Sequence, residues 1–285
     1  MQFLAPDTVE EALRLLSDRG DLRVLAGGTD VMIQRMTGQL PRSESLLYIG
    51  GLADLRGVSR SDGTIRIGAL TSHRDLRCDP TITAHLPSFA EAAATVGGWQ
   101  TQAVGTIGGN LCNASPAADL APPVLVADAT MVVSAADGPM RIPADRFFVD
   151  RRRTALPAGQ ILLEIEVPAP PEATWESYLK VGRRGAMEVA LVGLAARFSM
   201  VGNRITTARL AVCSVAPTPR RLRHAEEALT GSTLDEEAAA EAARRATEEV
   251  DPIDDQRATA TYRRMLVGRL IRKAARLARQ SLEIR

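Results

Sequence analysis

The sequence has 285 residues, of which 45% are hydrophobic and 24% charged, with a formal net charge of +1. Such a chain is long enough for two or three compact globular units, and its near-neutral balance excludes a general electrostatic footprint for nucleic acid. Cys78, Cys112 and Cys213 are scattered without a C-x-x-C pair or a histidine at metal spacing, which excludes an iron–sulfur cluster, a structural zinc or a disulfide framework built from this chain.

The segment from Met1 to Asp7 lacks a basic stretch followed by an apolar one, so no signal peptide is expected. Thr8-Val9-Glu10-Glu11 reads as a capping box, with Glu11 reaching back from the third helical position. Ala12, Leu13, Leu15 and Leu16 supply the apolar face of the helix, and Gly20 is placed to end it. Arg23 to Ala26 is a short strand, followed by Gly27-Gly28-Thr29-Asp30 and an apolar segment from Val31 compatible with a helix. Leu46 to Ile49 is a second strand. Thr64 to Ala69 alternates like a half-buried strand, and Pro87 to Val96 is a small-residue helix stopped by Gly97-Gly98. A glycine- and asparagine-rich stretch spans Gly105 to Asp119, and Pro122-Pro123 fits the first turn of a further helix. Met131 to Val133 and Ile161 to Val167 are strands, and Pro168, Pro170 and Pro171 mark a linker. Beyond it, Leu191 to Met200 and Ile205 to Ser214 read as strands joined at Gly202-Asn203, a strong hairpin signal. Helices are expected near 221–229, 235–250 and 257–280. Strands followed by helices, rather than alternation, indicate an α+β unit. No apolar run approaches the ~18 residues that span a bilayer, so the expected location is cytoplasmic, with membrane association at most peripheral.

Two segments carry a chemical signal, Ala26-Gly27-Gly28-Thr29-Asp30 and Thr106-Ile107-Gly108-Gly109-Asn110. Glycine after a strand lets the backbone turn sharply and lets an anion approach the amide N–H groups without a Cβ in the way. A helix N-terminus adds a favourable dipole. Two such loops could clamp one diphosphate, although each alone is also an ordinary tight turn. Neither matches the Rossmann or Walker glycine pattern.

The stretch from Gly105 through Asn110, Asn113 and Asp119 to Pro123 resembles, nearly residue for residue, the FAD-binding subunit of the molybdenum hydroxylases. That family includes the medium subunit of aerobic carbon monoxide dehydrogenase and the flavin portion of xanthine dehydrogenase. Val24 to Val31 resembles its first flavin loop. Leu156 to Leu162, Tyr178 to Arg184, Val215 to Pro219 and Tyr262 to Arg264 follow in the family's order, so the resemblance covers essentially the whole chain. One departure is visible: at Trp99-Gln100-Thr101-Gln102-Ala103-Val104, Gln102 and Ala103 stand where many members carry Arg and Asn.

The resemblance implies an α+β fold: a two-part FAD-binding domain of the vanillyl-alcohol-oxidase type, plus a C-terminal domain with a small antiparallel sheet and helices. The implied boundaries are 1–55, 56–172 and 173–285. Leu25, Ala26, Gly27, Gly28, Thr29, Asp30 and Val31 would wrap the FAD diphosphate from one side, and Thr106, Ile107, Gly108, Gly109 and Asn110 from the other. Asp119 would accept from an FAD hydroxyl, or cap the helix entering Pro122-Pro123. Ile161 or Leu162 would pack on the isoalloxazine ring. Lys180, one of only two lysines beside Lys273, would lie at the flavin edge, where a cation stabilises negative charge; otherwise it is a solvated surface lysine. The resemblance assigns molybdopterin to a large partner subunit and [2Fe–2S] clusters to a small one, assembled as a dimer of heterotrimers. It assigns no catalytic side chain and no metal to this chain, whose FAD would relay electrons to an external acceptor.

His73, His85 and His224 are isolated in sequence and read as structural or surface residues. Arg151-Arg152-Arg153 reads as a solvated loop. The final helix places Tyr262, Leu266, Leu270, Ala274 and Leu277 on one face, for packing in its own domain or for docking on a partner or an acidic membrane. Two other functions stay open on the residues: a stand-alone two-loop FAD oxidase or reductase, and a non-enzymatic diphosphate-binding protein.

Overall fold

Residues 2–41, 45–135 and 137–283 are described by a computed structural model. Helix α1 (Val9–Asp18) begins at Thr8, whose Oγ1 accepts from the Glu11 amide at 3.1 Å. The return bond of the capping box lands one residue early: Glu11 Oε2 accepts from the Asp7 amide at 2.9 Å. The helix stops through an extended Arg19 rather than a left-handed Gly20. Strands β1 (Phe3–Leu4), β2 (Leu22–Leu25) and β3 (Ser45–Tyr48) form a parallel sheet in the order β1-β3-β2. Ala12 of α1 packs on Leu47, Ile49 and Leu52 beneath it. Helix α2 (Val31–Met36) leaves β2 directly and buries no side chain, so Met32, Ile33 and Met36 stand exposed.

The second layer is an antiparallel sheet. It contains β4 (Val58–Ser61), β5 (Thr64–Gly68), β6 (Thr130–Val133) and β7 (Met140–Pro143); β8 (Phe148–Asp150) and β9 (Arg153–Thr154) form a separate ribbon. Strand β10 (Leu162–Pro168) completes the order β4-β5-β10-β6-β7. The alternation in β5 buries Ile65 and Ile67 completely, as a half-buried strand requires. Short helices pack against this sheet: α3 (His73–Cys78), α4 (Pro80–His85), α5 (Pro87–Thr95), α7 (Ile107–Cys112), α8 (Ala121–Val126) and α9 (Ala144–Phe147), with α6 (Trp99–Val104) lying against α3. Both prolines of α8 sit in its first turn, where their missing N–H groups cost nothing.

The C-terminal layer is a meander of β11 (Thr174–Val181), β12 (Val192–Val201), β13 (Arg204–Cys213) and β14 (Arg220–Arg221), backed by α10 (Arg223–Leu229), α11 (Glu236–Glu248) and α12 (Ala260–Glu283). Gly202 turns the β12–β13 hairpin at a φ of 61°. Leu266, Leu270 and Ala274 of α12 are buried in this domain, whereas Tyr262 is exposed. Arg263 is also buried: its Nη1 donates to the Leu191 and Ser214 carbonyls at 3.0 and 2.9 Å, and Asp255 balances its charge at 2.8 Å.

Strand β11 lies before the first strand expected beyond the proline linker, and its two faces explain why. Trp175, Leu179 and Val181 pack on the C-terminal core, with Trp175 stacked on Phe198. Glu176, Tyr178 and Lys180, on the other face, bond to residues before the proline linker. A strand whose second face is polar but buried does not show the usual apolar signal. Glu176, 7% exposed, accepts from the Ser88 amide and hydroxyl and from Arg197. Glu91 of α5 accepts from the Ser177 hydroxyl and the Tyr178 amide at 2.8 and 2.6 Å. Burial pushes its carboxyl up, and those two hydrogen bonds pull it back.

Candidate functional site

The first glycine pair links β2 to α2. Gly28 holds a φ of 73°, which a side chain would strain. Gly27 lies against a neighbouring backbone: a Cβ there would overlap the Val104 carbonyl oxygen and sit 2.9 Å from Gly105 Cα. Helix α2 begins with two carbonyls in use, as Met32 donates to Gly28 and Gln34 to Asp30. Among the described residues the amides of Gly27, Gly28, Thr29, Asp30 and Val31 have no acceptor. These open donors, at the positive end of a short helix, suit an anion.

The second pair sits in a different setting. Gly108 and Gly109 are not in a turn after a strand; they form the first turn of α7, which follows α6. Thr106 is extended, and its Oγ1 caps the helix by accepting from Gly109 at 3.0 Å. Ile107 and Gly108 donate to the Thr71 and Ala69 carbonyls at 3.0 and 2.8 Å, and Asn110 donates to Thr106 at 3.0 Å. All four amides therefore have acceptors within the chain. Gly108 is glycine because a Cβ would lie 2.6 Å from the Ala69 oxygen. What this segment leaves open is a side-chain oxygen: Asn110 Oδ1 is buried and has no partner among the described residues.

The loops are joined side by side. Asn113, just past α7, donates through Nδ2 to Asp30 at 3.0 Å and accepts at Oδ1 from Gln34 and Arg152 at 3.2 and 2.9 Å. Asn113, Gln34 and Arg152 were not among the expected site residues; Asn113 lay inside the motif, but only the fold shows what it ties together. His73, 2% exposed, donates its amide to the Gly105 carbonyl beneath the second loop. Its Nδ1 has no partner among the described residues, and burial pushes its pKa down to about 4. His85 contacts Arg60 at 2.7 Å, away from the loops. Gln102, at the departure noted above, is buried; it accepts from Arg77 and donates to the Ala94 carbonyl, both at 2.9 Å.

Asp119 and Lys180 meet. Lys180 Nζ lies 2.9 Å from Asp119 Oδ2 and 3.1 Å from the Thr95 carbonyl, and the two side chains are about a tenth exposed. The Tyr178 hydroxyl donates to Asp119 Oδ1 at 2.6 Å. Burial raises the Asp119 carboxyl, while Lys180 and Tyr178 oppose that rise. Asp119 does not cap α8, whose N-cap is Leu120 with no side-chain bond. Ile161 is buried with Ala12 and Leu47, and Leu162 joins the core of the second sheet.

A family model described as the FAD binding domain in molybdopterin dehydrogenase matches residues 1–170, and one described as the CO dehydrogenase flavoprotein C-terminal domain matches 177–278. The chain belongs to the FAD-binding subunits of the molybdenum hydroxylases. This FAD-binding subunit is 32% identical over 278 residues to the carbon monoxide dehydrogenase medium chain of Hydrogenophaga pseudoflava, covering 97% of this chain and 96% of that one. It is 32% identical over 268 residues to a xanthine dehydrogenase FAD-binding subunit of Escherichia coli, covering 93% and 91%. Its fold superposes on a chain of the Hydrogenophaga pseudoflava carbon monoxide dehydrogenase with a TM-score of 0.93, 32% identity and 98% coverage of each chain. The quinoline 2-oxidoreductase of Pseudomonas putida 86 gives a TM-score of 0.93 at 28% identity, covering 99% of this chain and 98% of that one. The flavoprotein is thus an oxidoreductase subunit with the α+β architecture expected for it. Among its described residues no helix is long and apolar enough to cross a membrane.

The residues present fit FAD. A diphosphate needs several N–H donors, and the segment 27–31 offers five that are open among the described residues. Asn110, whose oxygen has no partner among the described residues, and the Asp119–Lys180 pair are polar groups of the kind a dinucleotide site uses.

Proposed function

We propose that this flavin subunit relays electrons from [2Fe–2S] clusters on a small partner subunit to an external acceptor. Those electrons would originate at molybdopterin on a large subunit, with the three chains assembled as a dimer of heterotrimers. The observation that carries the reading is the run of open amides at 27–31 packed against residues 104–105. FAD, when bound, supplies the redox chemistry; the protein supplies binding, orientation and electrostatics. In this reading the loop from Leu25 to Val31 wraps the diphosphate, with the main-chain N–H groups of 27–31 donating to it, and Thr106 to Asn110 close its other side with the Thr106 hydroxyl and the Asn110 side chain. Asp119 and Lys180 orient the cofactor, and Ile161 and Leu162 back its ring from the core.

Related chains belong to enzymes named for carbon monoxide, xanthine, 6-hydroxypseudooxynicotine and quinoline. A subunit shared among such different substrates is best read as a common electron carrier, with the substrate pocket on another chain.

Co-expression with the neighbouring reading frames tests this. The expected product is a yellow complex containing iron, sulfide and molybdenum, whose flavin is reduced by substrate only when all three chains are present. Turnover of a small substrate by the isolated yellow chain would overturn the relay in favour of a stand-alone oxidase. A chain that never takes up flavin would overturn both.

A further inference from the structure

The Asp119–Lys180 pair is held by a third residue to which nothing so far gives a role at the site. Tyr178 and Lys180 are two positions apart on β11 and therefore share a face. Lys180 reaches one Asp119 oxygen, and the Tyr178 hydroxyl donates to the other at 2.6 Å. The hydroxyl also lies 3.9 Å from Cys213 Sγ. It occupies space cleared for it: Gly193 of β12 stands opposite Lys180 and Cys213 in register, and a Cβ there would collide with the Tyr178 hydroxyl. Tyr178 is 5% exposed and Cys213 fully buried. Two strands of the C-terminal domain are therefore shaped so that one phenol reaches a carboxylate of the FAD-binding domain.

We infer that Tyr178 is a positioning residue of the flavin site, whose hydroxyl fixes the Asp119 carboxylate in its ionised form and in line with Lys180. The inference rests on the reading that Asp119 and Lys180 face the cofactor. A carboxylate at this depth is penalised by burial, and each donor it accepts favours its charged form. With Tyr178 in place the pair presents a fixed, balanced charge. Without the hydroxyl, Asp119 takes up a proton more readily and leaves the Lys180 cation uncompensated. The phenol itself stays protonated, because burial and Asp119 raise its pKa well above the ordinary tyrosine value. The burial that penalises the carboxylate also pushes the Cys213 thiol up to about 12, so its sulfur adds no charge to the cluster.

The test uses the assembled complex and reads FAD retention and the pH dependence of the flavin midpoint potential, not turnover. Tyr178→Phe is expected to weaken FAD retention by about tenfold, the loss of one hydrogen bond to a charged group. It is also expected to raise the midpoint potential and add a pH-dependent step absent from the wild type. Asp119→Asn and Lys180→Met serve as controls: if neither alters retention or potential, the assignment of the pair to the flavin falls. If they do and Tyr178→Phe matches the wild type in both readouts, the positioning role falls. A double variant, Asp119→Asn with Tyr178→Phe, separates positioning from general packing. If Tyr178 acts through Asp119, adding Tyr178→Phe to Asp119→Asn changes retention no further; fully additive losses would overturn the proposal.

Discussion

At residues 27–31 five consecutive amides have no acceptor among the described residues, whereas at 107–110 four consecutive amides all have one. The first segment rises into α2, which buries none of its side chains. The second enters α7, where Ile107, Gly108 and Leu111 are buried. Both carry a glycine pair, for different reasons. Gly27 and Gly28 are glycines so that a loop can lie flat against its neighbour and turn through positive φ. Gly108 is a glycine so that a helix can pack on the Ala69 backbone. The difference implies a division of labour for the proposed site: the first loop would donate, and the second would hold its shape and present side chains.

The largest effect should come from breaking the donor loop. Gly27→Val would drive residues 26–28 away from the Val104 carbonyl and turn the open amides off their common anion. Losing two charge-assisted hydrogen bonds of roughly 1.5 kcal/mol each predicts a fall in FAD affinity of about a hundredfold. Because this loop is half exposed and can shift away from the clash, the thermal midpoint of the flavin-free chain should fall far less than the flavin affinity. Fluorescence titration with FAD and a melting curve together check it. A large drop in stability with normal flavin binding would mean that the first loop, too, is mainly structural.

The second loop should instead answer to acid. His73 supports it from beneath and is held neutral by burial, with its pKa pushed down to about 4. An unfolded chain binds that proton near the ordinary value of about 6.5. Between the two values the unfolded state binds more protons, so stability falls as pH falls. The contribution present above pH ~6.5 is lost progressively towards pH 4 and amounts to about 3 kcal/mol. Denaturant unfolding across that window should show the slope, and His73→Phe should flatten it. A slope unchanged by that substitution would assign the acid sensitivity to other groups.

The fold was largely legible from residue pattern. The Thr8 cap, the alternation of β5, the Pro122-Pro123 helix start and the Gly202-Asn203 hairpin each rest on a local rule that the sequence displays. The candidate site could be marked in the sequence as two segments, because the run from Gly105 to Pro123 is distinctive, but its geometry could not be read there. Nothing in Thr106-Ile107-Gly108-Gly109 distinguishes a tight turn from a helix start whose amides are already spoken for by Ala69 and Thr71. Those partners are contributed by tertiary packing, more than thirty residues away in sequence. Strand β11 was missed for the same reason: the burial of Glu176 and Lys180 depends on Ser88, Arg197 and Asp119, not on any neighbour along the chain. Arg152, which reads as a solvated loop residue, reaches Asn113 only because the β8–β9 ribbon brings it there.

Gly108→Ala tests the structural half of the comparison. Its Cβ would press on the Ala69 oxygen at 2.6 Å and the Ala69 Cβ at 2.8 Å, neither of which can swing away. Overpacking of this kind costs about 2 kcal/mol. The expected result is a lower melting temperature with near-normal flavin content in the fraction that stays folded. The opposite pattern, lost flavin at unchanged stability, would make the two glycine pairs functionally equivalent.

The smallest effect, and the sharpest on the chemistry, belongs to Thr106. Its hydroxyl accepts from Gly109 and so still has its own hydrogen to give. Thr106→Ala removes an N-cap, at a cost of about 1 kcal/mol, and removes that donor as well. It also frees the Gly109 amide, giving the second loop one open N–H of the kind the first loop has five of. If the segment binds through its side chains, FAD affinity should fall severalfold despite the newly available amide, and Thr106→Ser should restore both affinity and stability. If it binds through main-chain donors, the freed amide should compensate and affinity should hold while stability still falls. Titration of the three proteins side by side therefore decides whether the second loop contributes a hydroxyl or a backbone to the flavin.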